Sequence, residues 1–273
     1  MTRNLLDRFG GFVAEVPVHG GMLEAEALGA GPPVLLVHGW TLDRRVWRPQ
    51  VERLAARFRV IAWDRRGFGR STAPPDLLRE PDDLAAVADA FGADRFALVG
   101  MSQGARVALA FAGHHPGRVS AIAVQGAPLS DVDSGDGEDE AVPLAEMTRL
   151  AVEGRLDSMR RLWRAHPLLD ASGAQASREL DAIICDYAAR DLLAPGPPLA
   201  VTTADLARLT MPILAITGRD EPVWRHKVAD RLARTVQATR LDITGAGHLC
   251  NLCRPDVYNQ ALIGFLESAL TPA

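Results

Sequence analysis

The hydrophobic positions of this chain fall into two alternating habits. Val34 to Val37 is a continuous apolar run of the kind a strand shows when both faces are buried, and the mainly apolar stretches Arg59 to Trp63, Phe96 to Val99, Val119 to Val124 and Ile213 to Thr217 are read as strands as well. Between and after them, Val46 to Phe58, Asp82 to Phe91, the stretch from Ser102 to Phe111, Trp224 to Leu232 and Val257 to Leu270 repeat apolar residues at helical spacing. A further short strand is predicted over Thr239 to Ile243. Upstream, Phe12, Ala14, Val16 and Val18 alternate, His19-Gly20-Gly21 supplies a turn, and Met22 to Ala27 runs on, which predicts a hairpin. Strand, helix, strand is the unit of a parallel sheet, so the pattern predicts an α/β fold: a mostly parallel, doubly wound sheet with an N-terminal antiparallel hairpin.

The alternation stops after Gln125-Gly126-Ala127-Pro128. Ser130 to Glu140 is acidic and glycine-containing and reads as an exposed loop. Val142 to about Leu209 is helical in pattern, broken by Pro167, Pro195, Pro197 and Pro198, with no strand. The expected organisation is therefore a core domain from residues 1–128 and 210–273, with a helical cap insertion over 129–209. The cap carries Arg149, Arg155, Arg160, Arg161, Arg164 and Arg178. A solvated helix face is the favoured reading of these arginines, and a surface for an anionic substrate or acidic carrier protein is the alternative.

Composition narrows the function classes. The chain has 273 residues, 48% of them hydrophobic, enough for one large core. A net charge of −4 supplies no basic field for nucleic acid or an anionic membrane, so a small-molecule substrate is expected, with no nucleic-acid or membrane partner. The first residues carry Arg3, Asp7 and Arg8 instead of a signal-peptide apolar core, and no apolar run has the length of a membrane span, which points to the cytoplasm. The three cysteines, Cys185, Cys250 and Cys253, do not make a disulfide framework. Cys250-x-x-Cys253 lacks the further ligands of a zinc site, so neither metal nor cofactor is expected. Oligomeric state is left open.

In an open parallel sheet ligands bind beyond the carboxyl ends of the strands. The residues just past those ends are His38-Gly39-Trp40, Asp64 to Ser71, Ser102, Asp220-Glu221 and His248. Gly100-Met101-Ser102-Gln103-Gly104 joins a strand to a helix through a tight turn that lifts the Ser102 hydroxyl out of the fold. A serine hydroxyl needs a base, and that base needs a carboxylate to hold its tautomer. Of the seven histidines His248, at a strand end after Gly247, is the expected base; His38, at a strand end before Gly39, is expected to brace its loop, and His19, His114, His115, His166 and His226 to serve surface or capping roles.

These motifs together resemble the α/β-hydrolase superfamily, in its serine-nucleophile branch, and are similar in style to enol-lactone hydrolases and small carboxylesterases. The matching pieces are His38-Gly39-Trp40, Asp64-Arg65-Arg66-Gly67-Phe68-Gly69-Arg70-Ser71, the Ser102 turn, Gly218-Arg219-Asp220-Glu221 and Gly247-His248. The resemblance implies a Ser102 nucleophile, a His248 base, an acid near residue 220, and an oxyanion hole from the backbone N–H groups of Trp40 and Gln103. The favoured acid is Asp220, with Glu221 as the alternative. Trp163 is a candidate substrate-binding residue. Cys253 stands where relatives carry glutamate, with only a local consequence expected. Hydrolysis of a carboxylic ester or lactone through an acyl-enzyme is the function implied. The alternatives are C–C hydrolysis of a dicarbonyl compound, which Leu249 after His248 disfavours, and a non-catalytic ligand receptor.

Overall fold

The chain order follows from where its apolar runs can be buried. In a computed structural model that describes residues 2–132 and 141–270, helix α1 (Thr2–Phe9) precedes the hairpin β1 (Phe12–Val18) and β2 (Gly21–Leu28). Then come β3 (Pro33–Val37), α2 (Arg48–Leu54), β4 (Arg59–Trp63), α3 (Glu80–Ala90), β5 (Phe96–Met101), α4 (Gln103–His114) and β6 (Val119–Gln125). Among the described residues five α-helices follow without a strand: α5 (Leu144–Val152), α6 (Leu156–Arg164), α7 (Ala174–Asp186), α8 (Arg190–Leu193) and α9 (Thr203–Leu206). The chain resumes with β7 (Ile213–Gly218), α10 (Val223–Val236), β8 (Thr239–Ile243), α11 (Cys250–Cys253) and α12 (Pro255–Leu270). The acidic stretch expected as an exposed loop lies, from residue 133 to 140, outside the described residues.

The strands form one eight-stranded sheet in the order β1-β2-β4-β3-β5-β6-β7-β8, antiparallel at β1–β2 and β2–β4 and parallel elsewhere. The central strands are buried on both sides, and their two-residue period sorts side chains cleanly. Val34, Leu36, Ala97 and Val99 join α2, α12 and the helices from α5 to α8 on one face. Leu35, Val37, Phe96 and Leu98 meet α3, α4 and α10 on the other. Each valine, leucine or phenylalanine among them contributes about 1.5–3 kcal/mol through burial. Leu199, Val201, Leu206 and Leu209 belong to this second face, so the end of the helical insertion packs on the sheet's far side from α5–α8.

Two short elements escape the hydrophobic pattern, α1 and α11. The three cysteines are free, and among the described residues no cluster of His, Cys, Asp and Glu could hold a metal ion. Among the described residues no helix is long and apolar enough to cross a membrane.

Candidate active site

Ser102 sits between β5 and α4 with φ 52° and ψ −121°, a conformation that costs a non-glycine residue on the order of 1–3 kcal/mol. Its N–H donates to the Gln125 carbonyl at 2.7 Å, and its own carbonyl accepts from the Ala105 and Arg106 amides at 3.0 and 3.2 Å. The turn closes only because of its glycines. A Cβ on Gly104 would lie 2.3 Å from the His38 carbonyl oxygen, and one on Gly100 would lie 2.7 Å from the Ala105 Cα. Gln103 opens α4, so its amide has no carbonyl one turn back to receive it.

The loop after β3 is held by a buried cation. Arg65 pairs with Glu80, donates from Nη1 to the His38 carbonyl at 3.0 Å and from Nη2 to Gln103 Oε1 at 2.7 Å. The Arg65 amide donates to His38 Nε2 at 2.9 Å, leaving His38 Nδ1 to donate to the Gly39 carbonyl at 2.8 Å. Burial, then the Arg65 charge, holds His38 well below the usual histidine range, so the ring is neutral and braces the loop. Trp40 is thereby placed beside Ser102, and both line one cavity of about 180 Å3 with Gln103, Trp163 and His248.

His248 meets a carboxylate, and that carboxylate is Glu221. Glu221 Oε2 lies 3.1 Å from His248 Nδ1 and is fully enclosed, whereas Asp220, the favoured expectation, is exposed. The turn after β7 explains the correction. The Asp220 amide donates to the Ala246 carbonyl and the Glu221 amide to the Gly218 carbonyl, both at 3.1 Å, which faces the Asp220 side chain to solvent and Glu221 inward. Gly218 permits this approach, since a Cβ there would fall 2.0 Å from the Gly247 carbonyl oxygen.

Several residues around the pair were not singled out from the sequence. Arg225, in the first turn of α10, forms an ion pair at 2.8 Å with the same Oε2 and donates from Nη1 to the Gly126 carbonyl. Gly126, at φ 53°, lies flat against the pair, and a Cβ there would sit 2.7 Å from His248 Cε1 and 2.9 Å from Glu221 Oε1. Gln125 Nε2 donates to the His248 carbonyl at 2.7 Å and to Asn251 Oδ1 at 3.0 Å, while Asn251 Nδ2 donates to the Val46 carbonyl at 3.1 Å. These buried amides fasten the His248 loop to β6 and to the segment before α2. The signal for them was one polar residue inside each apolar run, Gln125 after Val124 and Asn251 between Cys250 and Leu252.

Burial, then the Arg225 charge, lowers the His248 ring below the usual histidine range against the opposing pull of Glu221. Burial alone would raise the Glu221 carboxyl, but its contacts with His248 and Arg225 outweigh that and hold it low. The result is a neutral imidazole beside an ionised carboxylate at neutral pH.

The insertion closes over the cavity. Trp163 is 3% exposed, donates from Nε1 to Thr41 Oγ1 at 2.7 Å, and packs on Trp40 with ring centres 5.2 Å apart. Trp40 Nε1 donates to Asp191, which also accepts from the Tyr187 hydroxyl at 2.8 Å. The cap arginines are largely engaged within the cap itself: Arg149 pairs with Glu146 and Glu153, Arg155 with Glu153, Arg160 with Asp157, and Arg164 with Asp181.

The family model for the alpha/beta hydrolase fold matches residues 32–255. In sequence the chain is 24% identical over 243 residues to the 3-oxoadipate enol-lactonase 1 of Acinetobacter baylyi, across 87% of this chain and 89% of that protein. In structure it is similar to a thermophilic esterase from Thermogutta terrifontis, with a TM-score of 0.74 and 27% identity over 95% of this chain and 100% of the other. An esterase from Rhodococcus sp. ECU1013 is similar at a TM-score of 0.77 and 25% identity, covering 94% of this chain and 99% of its own.

Proposed function

The chain belongs to the alpha/beta hydrolase family, and on that premise we propose that it is a serine hydrolase cleaving a carboxylic ester or lactone of a small molecule through an acyl-enzyme. The observation that carries this reading is a strained, glycine-flanked Ser102 on one small cavity with His248, whose ring is paired behind with Glu221. His248 Nε2 takes the Ser102 proton as Oγ attacks the carbonyl carbon, and returns it to the leaving alcohol oxygen. Water then attacks the acyl-enzyme with His248 again as base, releasing the acid. Glu221 holds the Nδ1–H tautomer and stabilises the imidazolium. The Trp40 and Gln103 amides receive the developing oxyanion, each worth a few kcal/mol to the transition state. The relatives named above are an enol-lactonase and two esterases, which favours the same substrate class here.

The test is labelling with a fluorophosphonate probe, beside a panel of p-nitrophenyl esters and lactones. Wild-type protein labels at one serine, and the cavity of about 180 Å3 favours acetyl to butyryl esters over dodecanoyl. A folded protein that neither labels nor turns over any ester or lactone overturns the reading.

The Arg225 ion pair makes a second prediction. Arg225→Gln removes a positive charge that disfavours protonated His248, so the ring's pKa rises. The acidic limb of the kcat/KM profile, which reports deprotonation of the base in the free enzyme, then moves to higher pH. Measuring the profile with a neutral ester checks this, and a limb that stays in place or moves to lower pH contradicts it.

A further inference from the structure

One arginine at the site stands apart from the others. Arg106 lies on α4 one turn after Ser102, and its amide donates to the Ser102 carbonyl at 3.2 Å. Its side chain lines the cavity that holds Ser102 and His248, and also the adjoining groove of about 650 Å3 under Leu144, Thr148 and Leu192. Trp40, Gln103 and Val142 line both spaces as well, so Arg106 borders both.

The other arginines around the sheet's carboxyl edge have partners for their guanidinium ends: Arg44 has Asp64 and Glu24, Arg65 has Glu80, Arg66 has Asp83, Arg225 has Glu221, and Arg190 donates to the Ser71 and Gly69 carbonyls. Arg106 has none among the described residues, and its buried Nε has no hydrogen-bond partner there. Burial lowers its pKa with no carboxylate opposing the shift. A guanidinium stays charged at neutral pH even so, and withdrawing that charge from water without a partner costs free energy. The planar guanidinium fork can hold a carboxylate through two parallel N–H donors.

We infer that Arg106 binds a carboxylate carried by the substrate, so that the preferred ester or lactone is anionic, for example a monoester of a dicarboxylic acid. The inference rests on the serine-hydrolase reading above and assigns the anion subsite to α4, inside the site. The arginines of the cap, largely paired with neighbouring carboxylates, have no part in it.

The experiment compares monoethyl succinate, glutarate and adipate with ethyl butyrate, pentanoate and hexanoate, which match them in acyl length but end in a methyl group. Hydrolysis is followed by titration of the acid released. Wild-type kcat/KM is higher for the monoethyl dicarboxylates, and Arg106→Gln lowers the ratio of acidic to neutral ester by about 10- to 100-fold. Arg106→Lys keeps part of the preference, because it retains the charge without the planar pair of donors. A measurement on the wild type alone covers the case of a variant that does not fold: glutarate slows fluorophosphonate labelling of Ser102 more than the neutral glutaramide does, and added salt weakens that protection. A wild type that labels but shows no preference for the acidic esters, or an Arg106→Gln ratio equal to wild type, overturns the inference and leaves the serine-hydrolase reading standing. A wild type that does not label removes both.

Discussion

Ser102→Ala lowers kcat on the best ester by on the order of 10^4- to 10^6-fold, with a melting temperature within a few degrees of wild type. The size of the loss follows from the division of labour proposed for the site. Without a nucleophile the chemistry falls back on oriented water and the oxyanion donors, which retain only part of the rate enhancement. The stability expectation follows from how Ser102 is held. Its three hydrogen bonds to Gln125, Ala105 and Arg106 are all made by its backbone, and alanine keeps them together with the same Cβ at positive φ. Steady-state kinetics beside thermal denaturation checks both halves. A variant that retains more than about a hundredth of wild-type kcat shows that Ser102 is not the nucleophile.

Glu221→Gln lowers kcat/KM by about 10^3- to 10^4-fold, whereas Asp220→Asn changes it by less than about twofold. The contrast is the sharpest available between adjacent carboxylates. On the proposed mechanism the neutral amide that replaces the Glu221 carboxylate no longer enforces the Nδ1–H tautomer or stabilises the imidazolium as the proton arrives. It also strands Arg225, which is 6% exposed in its side chain and loses its ion-pair partner, so the variant unfolds at lower temperature, at a cost of roughly 3 kcal/mol. Asp220 faces solvent and produces neither effect. Equal losses in the two variants, or a larger loss in Asp220→Asn, return the acid's role to Asp220.

Much of the fold could be read locally because its signals are local. The buried strands announced themselves as mainly apolar stretches, and β5 with α4 announced itself through Gly100, Ser102 and Gly104, whose steric need is met within a few residues. The hairpin was visible from the alternation of Phe12, Ala14, Val16 and Val18. Helix α1 and the one-turn α11 carried no such periodicity over a useful length and were invisible. At the site, Ser102 and His248 could be placed because strand ends gather on one edge of a parallel sheet.

The choice between Asp220 and Glu221 had no local answer. Both follow the same strand, and which one turns inward depends on the contact of Gly218 with Gly247 and on the hydrogen bond from Asp220 to Ala246, long-range packing that leaves no mark on the spacing. The arginines divide in the same way. The sequence shows many of them and drew the eye to the dense group in the cap, but a cation's significance lies in what surrounds it. Folding supplied carboxylates to most of those and to the core arginines, and left Arg106 facing the cavity without one among the described residues. Hydrophobic period and glycine sterics act over a few neighbours and so were written in the sequence. Charge pairing, the His248 partner and the amides of Gln125 and Asn251 that hold its loop join residues far apart in the chain, and only the packed molecule brings them together.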